Sequence, residues 1–217
     1  MNEVKERTET TIKLANVSRQ SVEETANQMT AVWNNFDDGT KSLEYYADVM
    51  TKLGAKTASS TKEIAGGLEK FAAIGKTIGL SYEYAAAALA TITANTRQSE
   101  DVVGTALKTI FARIQGLKLG ETLDDGVELN KYSEALAKIG VDILDVNDNL
   151  IDADQILEKT AEKWKNLSDA QKTATAQTVA GIRQYNQFIA LMENWDDGTS
   201  DSMVTNLSTA FGAEGEL

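Results

Sequence analysis

GKTIGLSYEYAAAALATITANTRQSEDVVGTALKTIFARIQGL, residues 75–117, decides the fold because it holds two apolar helical patterns in close succession. In the first pattern, Ser81 supplies an N-cap hydroxyl that can accept a free backbone amide, and Glu83 lies where the helix dipole favours an anion. Apolar residues then recur at three- and four-residue steps through Ile92, which predicts a helix with one packed face. After a polar connector at 95–98, Ser99 caps a second helix with the strongest apolar periodicity in the chain, and we expect that helix to be mostly buried.

Stripes of the same spacing predict helices on both sides of this pair. The predicted helical segments are 3–19, 21–34, 43–53, 64–74, 129–139, 156–167 and 182–195, and Ser168 is predicted to cap another helix. Gly66-Gly67 inside one of them costs about 1 kcal/mol per glycine relative to alanine, so we expect a close contact with another helix there. Apolar and polar residues alternate from 141 to 152, which predicts two short strands around Asn147–Asn149. The predicted fold is all-α, a multi-helix bundle of antiparallel helix pairs with one small β-hairpin near residues 141–152.

Composition excludes several classes of function. The 217-residue chain has no proline, the residue that most damages helix interiors, which agrees with numerous helices. Its 21 basic and 33 acidic residues give a net charge of −12, which repels phosphate, so we expect no nucleic-acid binding. Without cysteine or histidine there is no disulfide, no thiolate nucleophile and no cysteine or histidine zinc ligand. No apolar run is long enough for a membrane segment in this chain.

One group of polar residues has the spacing of a metal loop. Asp145, Asn147 and Asn149 follow the one-three-five pattern of a calcium-binding loop. However, Leu150 takes the place of the required glycine and Ile156 the place of the bidentate glutamate. A hairpin turn is therefore the favoured interpretation.

Two pairs of adjacent acids provide the other candidate chemistry. Asp124-Asp125 and Asp37-Asp38 are paired carboxylates, and a glycosidase needs two acids that flank the sugar bond. Nothing in the sequence places either pair in a cleft, so we interpret both as solvated loops. We predict no catalytic, cofactor-binding or metal-binding residue in this chain, and no cofactor.

Two arginines and three tryptophans have structural interpretations. Arg113, within an apolar stripe, and Arg183 must find carboxylate or carbonyl partners if they lie near a core, and we favour structural pairing over contact with another protein. Trp33, Trp164 and Trp195 are predicted to anchor a core or an interface rather than to cage a ligand.

A family resemblance goes beyond these physical arguments. The order GLS-x-E-x-AAAALA, N, SEDV-x-GTALKTIFARI is followed by DILDVNDNLIDADQILEKTAEKWKNLSDAQKTATAQTVAGIRQYNQFIALMENWD at 142–196. This succession resembles the core region of phage tail tape measure proteins, a minor tail protein family, from about Tyr46 to Trp195. Asn149 stands where the family often has glycine, a swap that a left-handed turn position tolerates. The resemblance divides the chain into an N-terminal helical segment (1–45), a tape-measure core-like helical domain (46–195) and a C-terminal helix or tail (196–217), which we expect to be frayed or a truncation boundary.

The resemblance implies a structural protein of a phage or prophage-derived tail and no enzyme. Such a protein lies in the tail lumen of the virion after assembly in the cytoplasm of the bacterial host, sets tail length and leaves with the DNA at ejection. It implies tail tube, tail-tip and tail assembly chaperone proteins as partners, together with self-association. The expected chain is the compact core region of a much longer polypeptide.

Two other classes stay open at this point. A generic helical interaction module or a secretion-apparatus component would show an exposed apolar groove. A peptidoglycan-degrading enzyme would depend on acids such as Asp124 and Asp125.

Overall fold

The computed structural model describes residues 2–217, and in that range it contains helices and no β-strand. The predicted all-α class is confirmed. The helices are α1 (Asn2–Ser18), α2 (Val22–Phe36), α3 (Leu43–Lys56), α4 (Thr61–Thr77), α5 (Tyr82–Thr96), α6 (Glu100–Lys118), α7 (Leu129–Ala137), α8 (Ala153–Trp164), α9 (Asp169–Ala180), α10 (Tyr185–Glu193) and α11 (Met203–Phe211). None of these helices is both long and apolar enough to cross a lipid bilayer.

The central helix is α5, which is buried on every side. The Ser81 hydroxyl accepts the amide of Tyr84 at 3.2 Å and starts the helix as the sequence predicts. All residues from 82 to 94 are buried, so the single packed face predicted from the periodicity is too narrow. Helices α3, α4, α6, α10 and α11 all contact α5. The run of alanines at 85–88 allows this because small side chains let neighbouring helices approach from several directions.

Helix α4 crosses α6 at a glycine contact. A Cβ atom on Gly104 of α6 would lie 2.8 Å from the carbonyl oxygen and 3.1 Å from the Cα atom of Gly67. A Cβ atom on Gly67 would in turn lie 2.6 Å from both Cδ atoms of Leu89 on α5. The structure therefore confirms the close helix contact predicted for Gly66-Gly67 and identifies Gly104 as the partner position.

The segment 141–152 does not form the predicted β-hairpin. It contains one isolated antiparallel bridge, between Leu144 and Leu150, in which the amide of Ile151 donates to the carbonyl oxygen of Ile143 at 3.0 Å. The pairing does not extend beyond this bridge, and α8 begins at Ala153. The left-handed residue of the turn is Asp148 (φ +60°), not Asn149 as the sequence suggested.

The two ends of the described chain pack against its middle. Helix α1 contacts α2 and α3, and α11 contacts α3 and α5. The buried carboxylate of Asp48 on α3 accepts the amides of Gly215 at 2.9 Å and Leu217 at 2.7 Å, so the last residues are held rather than frayed. The domain boundaries at 45–46 and 195–196 stay predictions.

Two buried tyrosines differ in whether the hydroxyl has a partner. The Tyr82 hydroxyl donates to the carbonyl oxygen of Tyr46 at 2.6 Å, whereas the Tyr132 hydroxyl has no hydrogen-bond partner among residues 2–217. We expect Tyr132→Phe to raise the free energy of unfolding by about 1 kcal/mol, because it removes an unpaired buried polar group. The matched change Tyr82→Phe is expected to lower it by about 1 kcal/mol. Urea denaturation measures both, and a destabilised Tyr132→Phe variant would contradict the expectation.

Candidate functional site

Arg113 links three parts of the fold through a buried guanidinium. Its Nη2 atom donates to the carbonyl oxygen of Thr178 at 2.9 Å, and Nε donates to that of Val179 at 3.2 Å, so it satisfies carbonyls at the end of α9. The same Nη2 atom lies 2.9 Å from Oδ2 of Asp125, and the Arg113 side chain is only 11% exposed. Arg113 thus has both kinds of partner that the sequence analysis required. Arg183 differs, because it is exposed and forms no ion pair with any residue of 2–217.

The two acid pairs serve local structure and are not brought together as a catalytic pair. Asp125 is held by Arg113, as described, while Asp124 is exposed beside it. Oδ1 of Asp37 accepts the amide of Gly39 at 2.9 Å, and Oδ1 of Asp38 accepts the Thr40 amide at 2.9 Å. The Thr40 hydroxyl also donates to Asp38, which lowers the pKa of that exposed carboxyl.

The calcium-like residues form an Asx turn. Oδ1 of Asp145 accepts the amides of Asn147 at 2.8 Å and Asn149 at 2.9 Å, and these bonds lower the pKa of the Asp145 carboxyl. One carboxylate oxygen is therefore already used by the backbone of its own turn, while Leu150 and Ile156 are buried in the core. No group of three or more acids within residues 2–217 is arranged to hold a metal ion.

The three tryptophans occupy different environments. Trp33 and Trp164 are buried, and their indole N–H groups donate at 3.0 Å to the Leu43 carbonyl oxygen and to Oε1 of Glu193 respectively. The hydrogen bond from Lys172 at 2.7 Å, together with that from Trp164, lowers the pKa of the Glu193 carboxyl. Trp33 and Trp164 are therefore the core anchors that the sequence predicted, whereas Trp195 is only partly buried.

An apolar groove of about 540 Å³ opens between α5, α8 and α11 beside Trp195. Its apolar lining consists of Tyr84, Trp195, Met203, Val204, Leu207 and Phe211. The Trp195 ring lies 6.3 Å from that of Tyr84, measured between centroids. Two carboxylates, Asp154 and Glu158, stand on the α8 side. We name this surface, with its apolar lining and its two acids, the α11 groove.

The Tyr84 hydroxyl in the α11 groove is buried without a hydrogen bond. Tyr84 is 8% exposed, and its hydroxyl has no hydrogen-bond partner among the described residues. Burial, together with the charges of Asp154 and Glu158, raises the pKa of this hydroxyl well above its ordinary value of 10.0, so it remains protonated. It is therefore a buried donor that none of residues 2–217 uses.

The α11 groove is not predicted from the sequence. The C-terminal residues 196–217 are predicted to be a helix or tail that ends in glycine and glutamate. The available signal was the spacing of Val204, Leu207 and Phe211, which places three apolar residues on one side of a short helix. Such a pattern predicts a helix with an apolar stripe but not whether that stripe is covered.

The comparisons with known proteins concern most of the chain. The family model of phage-related minor tail proteins matches residues 1–181. No solved structure matches the chain significantly. Because the family match spans well over half of the 217 residues and includes the α5–α6 pair, this chain belongs to the phage-related minor tail protein family.

Proposed function

We propose that this chain is the core region of a tape measure protein, which takes part in tail assembly and in setting tail length. The observation that supports the proposal is its membership of the minor tail family over residues 1–181, combined with the tape-measure-like motif order from the α5–α6 pair onward. Its proposed role is structural, without catalysis. The pairing of Asp125 with Arg113, and the use of Asp37 and Asp38 in a turn, agree with that role.

The lengths of the helices indicate which part of such a protein could set the length of the tail. A helix advances about 1.5 Å per residue, so residue count can be converted into length only along a continuous rod. The longest helix here, α6, has 19 residues and would span roughly 28 Å. This bundle therefore serves as a compact core, and the ruler would be helical sequence elsewhere in a longer polypeptide.

Location and partners follow from the same proposal. The chain would lie in the tail lumen of the virion after assembly in the host cytoplasm, in contact with tail tube, tail-tip and chaperone proteins and with further copies of itself. A net charge of −12 suits a channel through which DNA passes, because an acidic surface does not retain phosphate. The charge thus supports a position in the tail lumen without a role in binding DNA.

The experiment that tests the proposal is a measurement of tail length. In a phage that carries the gene, an in-frame insertion of about 60 helix-forming residues outside residues 1–217 is expected to lengthen the tail by about 90 Å, because each residue adds about 1.5 Å. Electron microscopy of the virions measures the change. A matched insertion of equal length into a different tail gene is the control. Tails of normal length after deletion of this gene would contradict the proposal.

A helical interaction module or secretion-apparatus component is the second candidate function. The α11 groove favours it, because an exposed apolar groove is the feature that the sequence analysis associated with such a module. The gene deletion separates the two candidates, since an interaction module outside the tail would leave tail length unchanged.

A further inference from the structure

We propose that the α11 groove binds an amphipathic helix of another protein, with an apolar face and with lysine or arginine residues along one edge. The inference does not depend on the tape measure role. It rests on the apolar lining of the groove, on the Tyr84 hydroxyl and on the two acids, Asp154 and Glu158.

Helix α11 is buried along one side and exposes apolar side chains along the adjacent side. Met203 and Ala210 are buried against the rest of the fold, and Asn206 donates to the Thr91 hydroxyl at 3.0 Å. The adjacent side of the helix, about 100° round from Met203, carries Val204, which is 47% exposed, and Phe211, which is 61% exposed. Exposed apolar side chains that line a groove together are typical of an interaction surface.

The length and volume of the α11 groove match about two turns of a partner helix. Val204 and Phe211 are seven residues apart, which corresponds to about 10 Å along α11. Helices that bind in grooves contact them through apolar residues at positions i, i+3, i+4 and i+7, which cover a similar length. A volume of about 540 Å³ accommodates several such side chains.

Tyr84 provides an independent sign that the site is incomplete. Its side chain is more than nine-tenths buried and lines the groove, yet its hydroxyl has no partner within residues 2–217. A buried hydroxyl without a hydrogen bond is unfavourable, so a polar group carried by a ligand would remove this penalty. The groove therefore favours an occupant that brings a polar group near Tyr84, whose hydroxyl can accept a hydrogen bond from a lysine as well as donate one.

The charges indicate which class of helix fits. Asp154 and Glu158 are one helical turn apart on α8, both are exposed, and neither forms an ion pair with a described residue. No lysine or arginine lines the α11 groove. A basic edge on the partner would pair with these acids. In a symmetric dimer built on this face, by contrast, the same acids of both copies would meet, which disfavours a second copy of this chain as the occupant.

The test is a binding titration of the full chain with labelled peptides, followed by fluorescence anisotropy. The first probe is a helical peptide of about 16 residues with leucines at i, i+3, i+4 and i+7 and lysines along one edge. The second has glutamates in place of the lysines, and the third keeps the composition but scrambles the leucine spacing. We expect the lysine peptide to bind about tenfold more tightly than the glutamate peptide, because two ion pairs are gained and two repulsions avoided.

Matched variants locate the binding site. Phe211→Asp and Val204→Asp are each expected to weaken binding of the lysine peptide by about tenfold or more, since each places a charge in the apolar contact. Val146→Asp, at a residue that is fully exposed and is not part of the groove lining, is the control and should leave affinity unchanged. Circular dichroism checks that every variant is folded.

Charge reversal tests the edge of the groove. Asp154→Lys combined with Glu158→Lys should invert the preference, so that the glutamate peptide binds more tightly than the lysine peptide. Glu69→Lys combined with Glu134→Lys makes the same change in net charge at exposed positions outside the groove and should keep the original preference. Equal binding of the three peptides to the wild-type chain, or equal effects of the two double reversals, would overturn the proposal. So would a dimer seen by sedimentation that Phe211→Asp dissociates, because the occupant would then be a second copy.

Discussion

Gly104→Val is expected to lower the free energy of unfolding by about 3 kcal/mol, because overpacking a tight helix contact costs on the order of 1 to 3 kcal/mol and a branched side chain adds to it. The first carbon added would lie 2.8 Å from the carbonyl oxygen of Gly67 and 2.9 Å from Cβ of Lys70. These are backbone and near-backbone atoms, which cannot rotate away, so α4 and α6 must separate. Urea denaturation followed by circular dichroism measures the loss.

Gly116→Ala is the matched control in the same helix. The nearest atom to its added Cβ is Oε2 of Glu121, at 2.9 Å, which is the far end of a flexible side chain. The helix propensity of alanine favours this change by up to about 1 kcal/mol, so the variant should be as stable as the wild type or more stable. If Gly104→Val matched the wild type in stability, the close crossing of α4 and α6 would not exist in solution.

The α4–α6 crossing shows which part of the fold local sequence can predict. Two adjacent glycines inside an apolar helical stripe have a cost in helix propensity, and that cost indicates a close contact at Gly66-Gly67. The identity of the partner, Gly104, depends on which helix packs there, and this is decided by the whole core rather than by either helix. For the same reason, the periodicity of α5 predicted one packed face, whereas helices on several sides bury all of it.

The segment 141–152 shows how a local pattern can mislead. Alternating apolar residues predicted strands, and Leu144 and Leu150 do face each other across one bridge. The side chain of Asp145, however, accepts the amides of Asn147 and Asn149 and closes a compact turn, which leaves too few residues for paired strands. The pattern of apolar and polar residues does not show whether a backbone amide will donate to a side-chain oxygen or to a backbone carbonyl.

The candidate site was the least predictable part. The sequence correctly required partners for Arg113, because a guanidinium in an apolar stripe must be satisfied wherever it lies. The α11 groove depends on what remains uncovered once α3 and α5 have packed against α11, and an apolar stripe such as that of Val204 and Phe211 normally predicts burial. Exposure of such a stripe emerges only from the three-dimensional arrangement.

Trp164→Ala is expected to cost about 4 kcal/mol of unfolding free energy, since truncation of a buried tryptophan typically costs about 3 to 5 kcal/mol. The indole is 1% exposed and packs edge-on against Phe188, with ring centroids 5.9 Å apart. It also donates to Oε1 of Glu193, the same oxygen that accepts a hydrogen bond from Lys172. The change therefore removes a large apolar side chain and one member of a three-residue hydrogen-bonded group. For a chain of this size, the melting temperature should fall by roughly 10 °C.

Two further variants separate the contributions of apolar burial and of the hydrogen bond to Glu193 to the stability of the fold. Trp164→Phe keeps an aromatic ring but removes the N–H donor to Glu193, so it should cost about 2 kcal/mol, in the range for hydrogen bonds to charged groups. Trp195→Ala removes a tryptophan that is only partly buried and should cost less than Trp164→Ala. Thermal and urea unfolding of the three variants ranks them by their loss of stability. If Trp195→Ala proved the more damaging change, the core of α8, α9 and α10 would not be centred on Trp164, and the groove beside Trp195 would be part of the packed interior rather than an open surface.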